Sequence, residues 1–227
     1  MSIEVYLIYF AILLILPLWA QSKVKKTYQK HMKIRNSSNV TGAEVARRLL
    51  QENGIYDVRV EETKGFLSDH YDPRKKVVRL SSHNFHEPSQ SAAAVAAHEV
   101  GHAIQDAEEY AFLRFRHALV PVASLGSNMS FFLILGGLLL GLTELYLLGI
   151  VFMAFAVLFQ LVTLPVEFDA SNRAMGQLVS TGMINSAEHR ETKKVLNAAA
   201  WTYVAGAVVA LLELLRFILM FLHMNQE

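Results

Sequence analysis

The chain is predicted to be a mainly α-helical integral membrane protein, with about four transmembrane helices and a small β-sheet in its polar part. Three observations lead there. Of its 227 residues 53% are hydrophobic and the mean hydropathy is +0.29, too apolar for a soluble protein with an ordinary surface. Four apolar runs, residues 3–20, 118–142, 145–165 and 198–222, are each about long enough to cross a bilayer core. Between the first two runs, "DVRVEE" and "KKVVRLSS" have strand composition, and "DPRKK" supplies a turn before the second.

The first run, "IEVYLIYFAILLILPLWA", has no positive residue before it and no small-residue cleavage site after it, while Lys23, Lys25, Lys26, Lys30, Lys33 and Arg35 follow at once. That pattern predicts a retained anchor over residues 1–22 with its N-terminus outside. Residues 23–117 form a polar region. Within it "TGAEVARRLLQENGI" reads as a short soluble helix: Thr41 caps it, Glu44 stands three residues on, and Gly54 marks its end. "EPSQSAAAVAAHEVGHAIQDAEEYAFLRFRHA" reads as one long alanine-rich helix.

The runs at 118–142 and 145–165 are joined only by Thr143 and Glu144, which predicts a transmembrane hairpin over residues 118–166. A second polar segment, 167–197, expected to hold a helix of its own and a cytoplasmic stretch, leads to a C-terminal transmembrane helix over 198–227, which carries Glu213 and Arg216 three apart on one face. Ser124, Ser127, Asn128 and Ser130 make the start of the second crossing polar, either lining a wet cavity or bonding to neighbouring helices. Of 21 Lys and Arg, 16 lie within residues 23–116 and 4 within 173–194. With four crossings both clusters share one side, expected to be the cytoplasm, and both termini lie outside.

There is no cysteine, so no disulfide can form and any metal must be held by His, Asp or Glu. "AAHEVGHAIQ" contains His-Glu-x-x-His. Residues four apart on a helix differ by about 40° in direction, so the His98 and His102 rings can grip one ion. Glu99 lies about 100° round the same turn, able to reach a water on that ion without ligating it. The chemistry expected of this pattern is peptide hydrolysis: Zn²⁺ polarises the carbonyl and activates its water, and Glu99 acts as general base.

A third ligand is needed, and Glu167 in "LPVEFDASNRA" is the candidate. A hairpin that leaves one face after His102 and returns by Pro165 delivers it to the same side, where a carboxylate at the membrane border needs a partner. One Zn²⁺ per chain is therefore expected. Arg173, His189 and Arg190 are candidates for stabilising the oxyanion of the reaction. His70, His83 and His86, scattered in polar segments, are expected to be exposed or locally hydrogen-bonded.

In "LSDHYDPRKKVVRLS", "AAHEVGHAIQ", "LPVEFDAS" and "VLNAAAWTYVA", in that order over nearly the whole chain, the sequence resembles the YugP-like neutral zinc metallopeptidases of bacterial membranes. More distantly it is similar to the integral-membrane CAAX-prenyl and heat-shock zinc proteases, in which an H-E-x-x-H helix, a membrane hairpin and an E-x-x-x-D helix follow one another. The resemblance implies a gluzincin-like zinc protease domain, with His98, His102 and Glu167 as ligands and Glu99 as base. Ser171 stands where E-x-x-x-D would put its aspartate, so the carboxylate behind a ligand histidine is Asp169 or absent. The resemblance also implies that "KKVVRLS" is either an edge strand that pairs with substrate or plain scaffold.

The function expected is a membrane-bound zinc endopeptidase of the bacterial plasma membrane. Its active site would face the cytoplasm and cleave membrane or membrane-proximal proteins. The alternative is a non-proteolytic, metal-stabilised membrane adaptor or scaffold. Expected partners are a protein or peptide substrate, the lipid bilayer, and a regulatory membrane partner or homo-oligomer; nucleic acid is not among them.

Overall fold

A computed structural model describes residues 3–224. The chain is mainly helical, and the helices α1 (Ile3–His31), α5 (Ala111–Leu140), α6 (Thr143–Ser180) and α7 (Ser186–Met224) are each long and apolar enough to cross a membrane. Between α1 and α5 lie α2 (Gly42–Glu52), β1 (Arg59–Thr63), β2 (His70–Asp72), β3 (Val77–Ser81), α3 (Ser82–His86) and α4 (Gln90–Ala107). The contacts divide the chain into two units. One comprises residues 1–17, 111–165 and 203–227, the other residues 18–110 and 166–202.

In the first unit α5 and α6 form the expected hairpin. Gly141, at φ +67°, takes the left-handed conformation that the turn requires, and the Leu142 N–H closes on the Gly137 carbonyl at 2.9 Å. Tyr146 is fully buried there, stacked on Phe221 with ring centroids 6.3 Å apart. Glu213 and Arg216 do pair: Arg216 Nη2 donates to Glu213 Oε2 at 2.9 Å, and Tyr9 Oη donates to Glu213 Oε1 at 2.6 Å. A lone charge among apolar helices would be costly, and this triad pairs the two charges, leaving the buried Arg216 Nε without a hydrogen-bond partner among the described residues. Ser127 donates to the Ser124 carbonyl of its own helix, and Ser130 lines a cavity of about 370 Å³ beside Glu213 and Arg216.

The second unit is built round α4. Ser89 caps α4 by accepting from the Ala92 N–H at 3.1 Å, and alanine, the best helix former, continues it. Ala92, Ala94 and Ala96 are fully buried, because a methyl group lets neighbouring elements approach closely. Val45, Leu49, Leu80, Val100 and Leu178 complete the same core. Helix α2 carries the anticipated capping box, with Thr41 and Glu44 exchanging hydrogen bonds.

The sheet has the order β1-β3-β2, with β1 parallel and β2 antiparallel to β3. Asp72 fixes the β2–β3 turn by accepting from the Arg74 and Lys75 N–H groups at 3.0 and 3.1 Å. β3 is the central strand, paired along its length with β1 and at Val77, Val78 and Arg79 with β2. The expectation of an edge strand at "KKVVRLS" is corrected.

Two boundaries also differ from the sequence reading. The helix expected to run through residue 118 breaks after Ala107: Glu109 adopts φ 56° and the Tyr110 N–H turns back to the Gln105 carbonyl at 2.9 Å. Conversely, α6 does not stop at Pro165 but runs unbroken to Ser180, so Glu167 lies within this helix rather than on a separate one.

Candidate metal centre

His98 and His102 lie on one face of α4 as their spacing requires, with ring centroids 4.8 Å apart and planes at 81°. Glu167 comes to them from α6. Its Oε2 is 3.2 Å from His98 Nε2 and 3.6 Å from His102 Nε2, and it is buried. One ligand atom from each of these three residues lies within 4.8 Å of the others. Their approach depends on Gly101: a Cβ at that position would stand 2.6 Å from the Ala170 carbonyl oxygen of α6, closer than any side chain tolerates.

The polar residues behind the imidazoles determine which ring atoms face inward. Gln105 Oε1 accepts from His102 Nδ1 at 3.0 Å, and Ser171 Oγ is hydrogen-bonded to His98 Nδ1 at 3.2 Å, where it can accept from a proton-bearing Nδ1. With a proton on each Nδ1, both Nε2 atoms keep their lone pairs for a cation. Gln105 is fully buried, and its amide donates to the Val166 carbonyl at 2.8 Å and to Asp169 Oδ2 at 2.7 Å. Asp169 in turn accepts from Arg173 Nε at 2.6 Å, while Arg173 Nη1 donates to Glu108 at 2.6 Å. Two imidazoles that offer Nε2 and a buried carboxylate, oriented from behind, form a donor set suited to zinc.

Glu99 is buried on the next face of α4. Burial pushes its carboxyl up from the ordinary value, while His98 and His102 pull it the other way. The shift makes Glu99 a stronger base than an ordinary carboxylate.

Of the other residues singled out in the sequence, Asp169 reaches His102 only through Gln105, and Arg173 is bonded to two carboxylates. His189 and Arg190 are exposed in the first turns of α7. His70 and His83 bond locally, to the Ser68 carbonyl and Ser89 Oγ, while the exposed His86 bonds Glu62 of β1. Gln105 escapes the sequence reading of the site, and Ser171 enters it only as the place of a missing aspartate, although its hydroxyl is what bonds His98 Nδ1. Gln105 stands three residues after His102, on the same helical face, and that spacing was the available signal. If Gln105 sets the His102 tautomer, Gln105→Ala weakens zinc affinity by about 10–100-fold, measured by competition with a chromogenic chelator.

Residues 6–222 match the family described as "Putative neutral zinc metallopeptidase". The chain belongs to this family. The chain is also 52% identical, over 212 residues, to "Putative membrane protease YugP" of Bacillus subtilis (strain 168), a match covering 93% of this chain and 94% of that protein. No solved structure matches the chain. Family and fold together make it a membrane protein of the zinc peptidase class.

Proposed function

We propose that the chain is a membrane-bound zinc endopeptidase that hydrolyses membrane or membrane-proximal proteins. In this reading His98 Nε2, His102 Nε2 and a Glu167 oxygen hold one Zn²⁺ per chain, in a gluzincin-type site. The observation that carries it is the convergence of these three ligand atoms, with Glu99 buried beside them. Bound there, zinc would supply Lewis acidity to a peptide carbonyl and to the attacking water. Glu99 takes the proton from that water as it attacks, then delivers it to the departing amine nitrogen. Gln105 keeps the His102 imidazole in the Nδ1–H tautomer, and the Ser171 hydroxyl holds the His98 ring from behind through Nδ1. Asp169 and Arg173 we assign to positioning, since Asp169 anchors Gln105 and Arg173 anchors Asp169. That leaves the exposed His189 and Arg190 as the remaining donors to test at the oxyanion.

The concentration of Lys and Arg in residues 23–116 and 173–194 supports a cytoplasmic active site. The test is cleavage of casein by the full chain in detergent, with and without chelator. Activity disappears with 1,10-phenanthroline and returns with added Zn²⁺; hydrolysis that persists after complete metal removal refutes the reading.

A further inference from the structure

A second site lies in the other half of the polar unit. Between the parts of α1 and α7 that belong to this unit there is a cavity of about 450 Å³, within the usual range for a small ligand. Lys23, Lys26, Lys30 and Lys194 line it, with His31, Asn197 and Trp201. Glu191 pairs with Lys194 at 2.5 Å and Lys30 at 3.8 Å and accepts from His31 at 3.0 Å, so part of this charge is balanced. Among the described residues no carboxylate stands within ion-pair distance of Lys23 or Lys26. The cavity therefore keeps a net positive charge, which calls for an anion.

Its walls indicate which anion. Trp19 and Trp201 pack edge to face with centroids 5.7 Å apart, and the Lys23 ammonium lies 4.7 Å from one ring and 5.1 Å from the other. Lys23 follows the apolar run of residues 3–20, and Asn197 immediately precedes the run of 198–222. The cavity thus opens at the level where both helices change from apolar to polar. Tryptophans at that level, with lysines just beyond them, match the headgroup layer of a bilayer.

We infer that this lysine and tryptophan cavity binds the phosphodiester headgroup of an anionic phospholipid. The lysines contact the phosphate, and the tryptophan rings hold Lys23 in place at the headgroup level. The site is independent of the zinc reading, and its test involves no hydrolysis.

Trp19 and Trp201 are the two tryptophans of the chain, so intrinsic fluorescence reports on this cavity directly. The full chain in dodecyl maltoside is titrated with dioctanoyl-phosphatidylglycerol, dioctanoyl-phosphatidylcholine and inorganic phosphate. Phosphatidylglycerol should saturate the signal at a concentration at least tenfold below either of the others. The Lys23→Gln/Lys26→Gln double variant, with unchanged circular dichroism, should raise that concentration at least tenfold. Because Lys23 itself touches the rings, Lys26→Gln alone is also assayed by native mass spectrometry, and should retain less phosphatidylglycerol than the wild type. Equal binding of phosphatidylcholine, or wild-type lipid retention in the variants, overturns the site. Inorganic phosphate binding as tightly as phosphatidylglycerol overturns the lipid as its source.

Discussion

Glu99→Gln is expected to lower peptide hydrolysis by about 10²–10⁴-fold while leaving zinc content at the wild-type level. Glutamine keeps the size and polarity of the side chain, so the packing of α4 is preserved. It cannot accept the proton of the attacking water. Neither His98 nor His102 touches its ligand partners through residue 99, so the metal stoichiometry measured by plasma mass spectrometry stays constant. Unchanged cleavage in this variant would remove the proposed base, whereas loss of zinc would mean that Glu99 is itself a ligand. The variant also separates enzyme from adaptor: an adaptor works normally after Glu99→Gln.

Glu167→Ala is the second large effect. It removes the anionic donor and leaves two imidazoles that face each other with a void between them. Two neutral nitrogen ligands hold zinc far less tightly than a three-ligand set with a carboxylate. Zinc per chain after dialysis should fall from about one to below roughly a tenth, with hydrolysis lost in parallel. Glu167→Asp is the companion variant, because its shorter side chain keeps the charge but withdraws the oxygen. It should retain folding and part of the metal. Full occupancy in Glu167→Ala would show that the third ligand is another group.

The parts of the site that follow helical periodicity were legible in the sequence. The spacing of His98 and His102 dictates a shared face, and the two apolar runs between His102 and Glu167, an even number, bring Glu167 back to the same side. The Thr41 capping box and the two longer strands were equally plain, since each is coded by residues adjacent in the chain. What the sequence hid depends on contacts made across the fold. The break at Glu109 has neither glycine nor proline to announce it, because a non-glycine residue takes the left-handed conformation there. Pro165 looked like a helix terminus, yet α6 passes through it; a proline costs one backbone hydrogen bond, which apolar helices commonly absorb. β2, only three residues long, falls below any alternation pattern. The central position of β3 follows from β1 pairing across the chain in parallel. Gln105 looks like any polar helix residue until Val166 and Asp169 are seen against it.

The near-contact of Gly101 with the Ala170 carbonyl means that the gauge of this centre is main chain against main chain. Side chains elsewhere in the core can be exchanged or tightened, raising the melting temperature, while the gap across which the ion would be held is unaltered. An engineer could harden this protein at Leu49 or Leu178 without retuning its chemistry, but a single methyl at position 101 would spread the jaws.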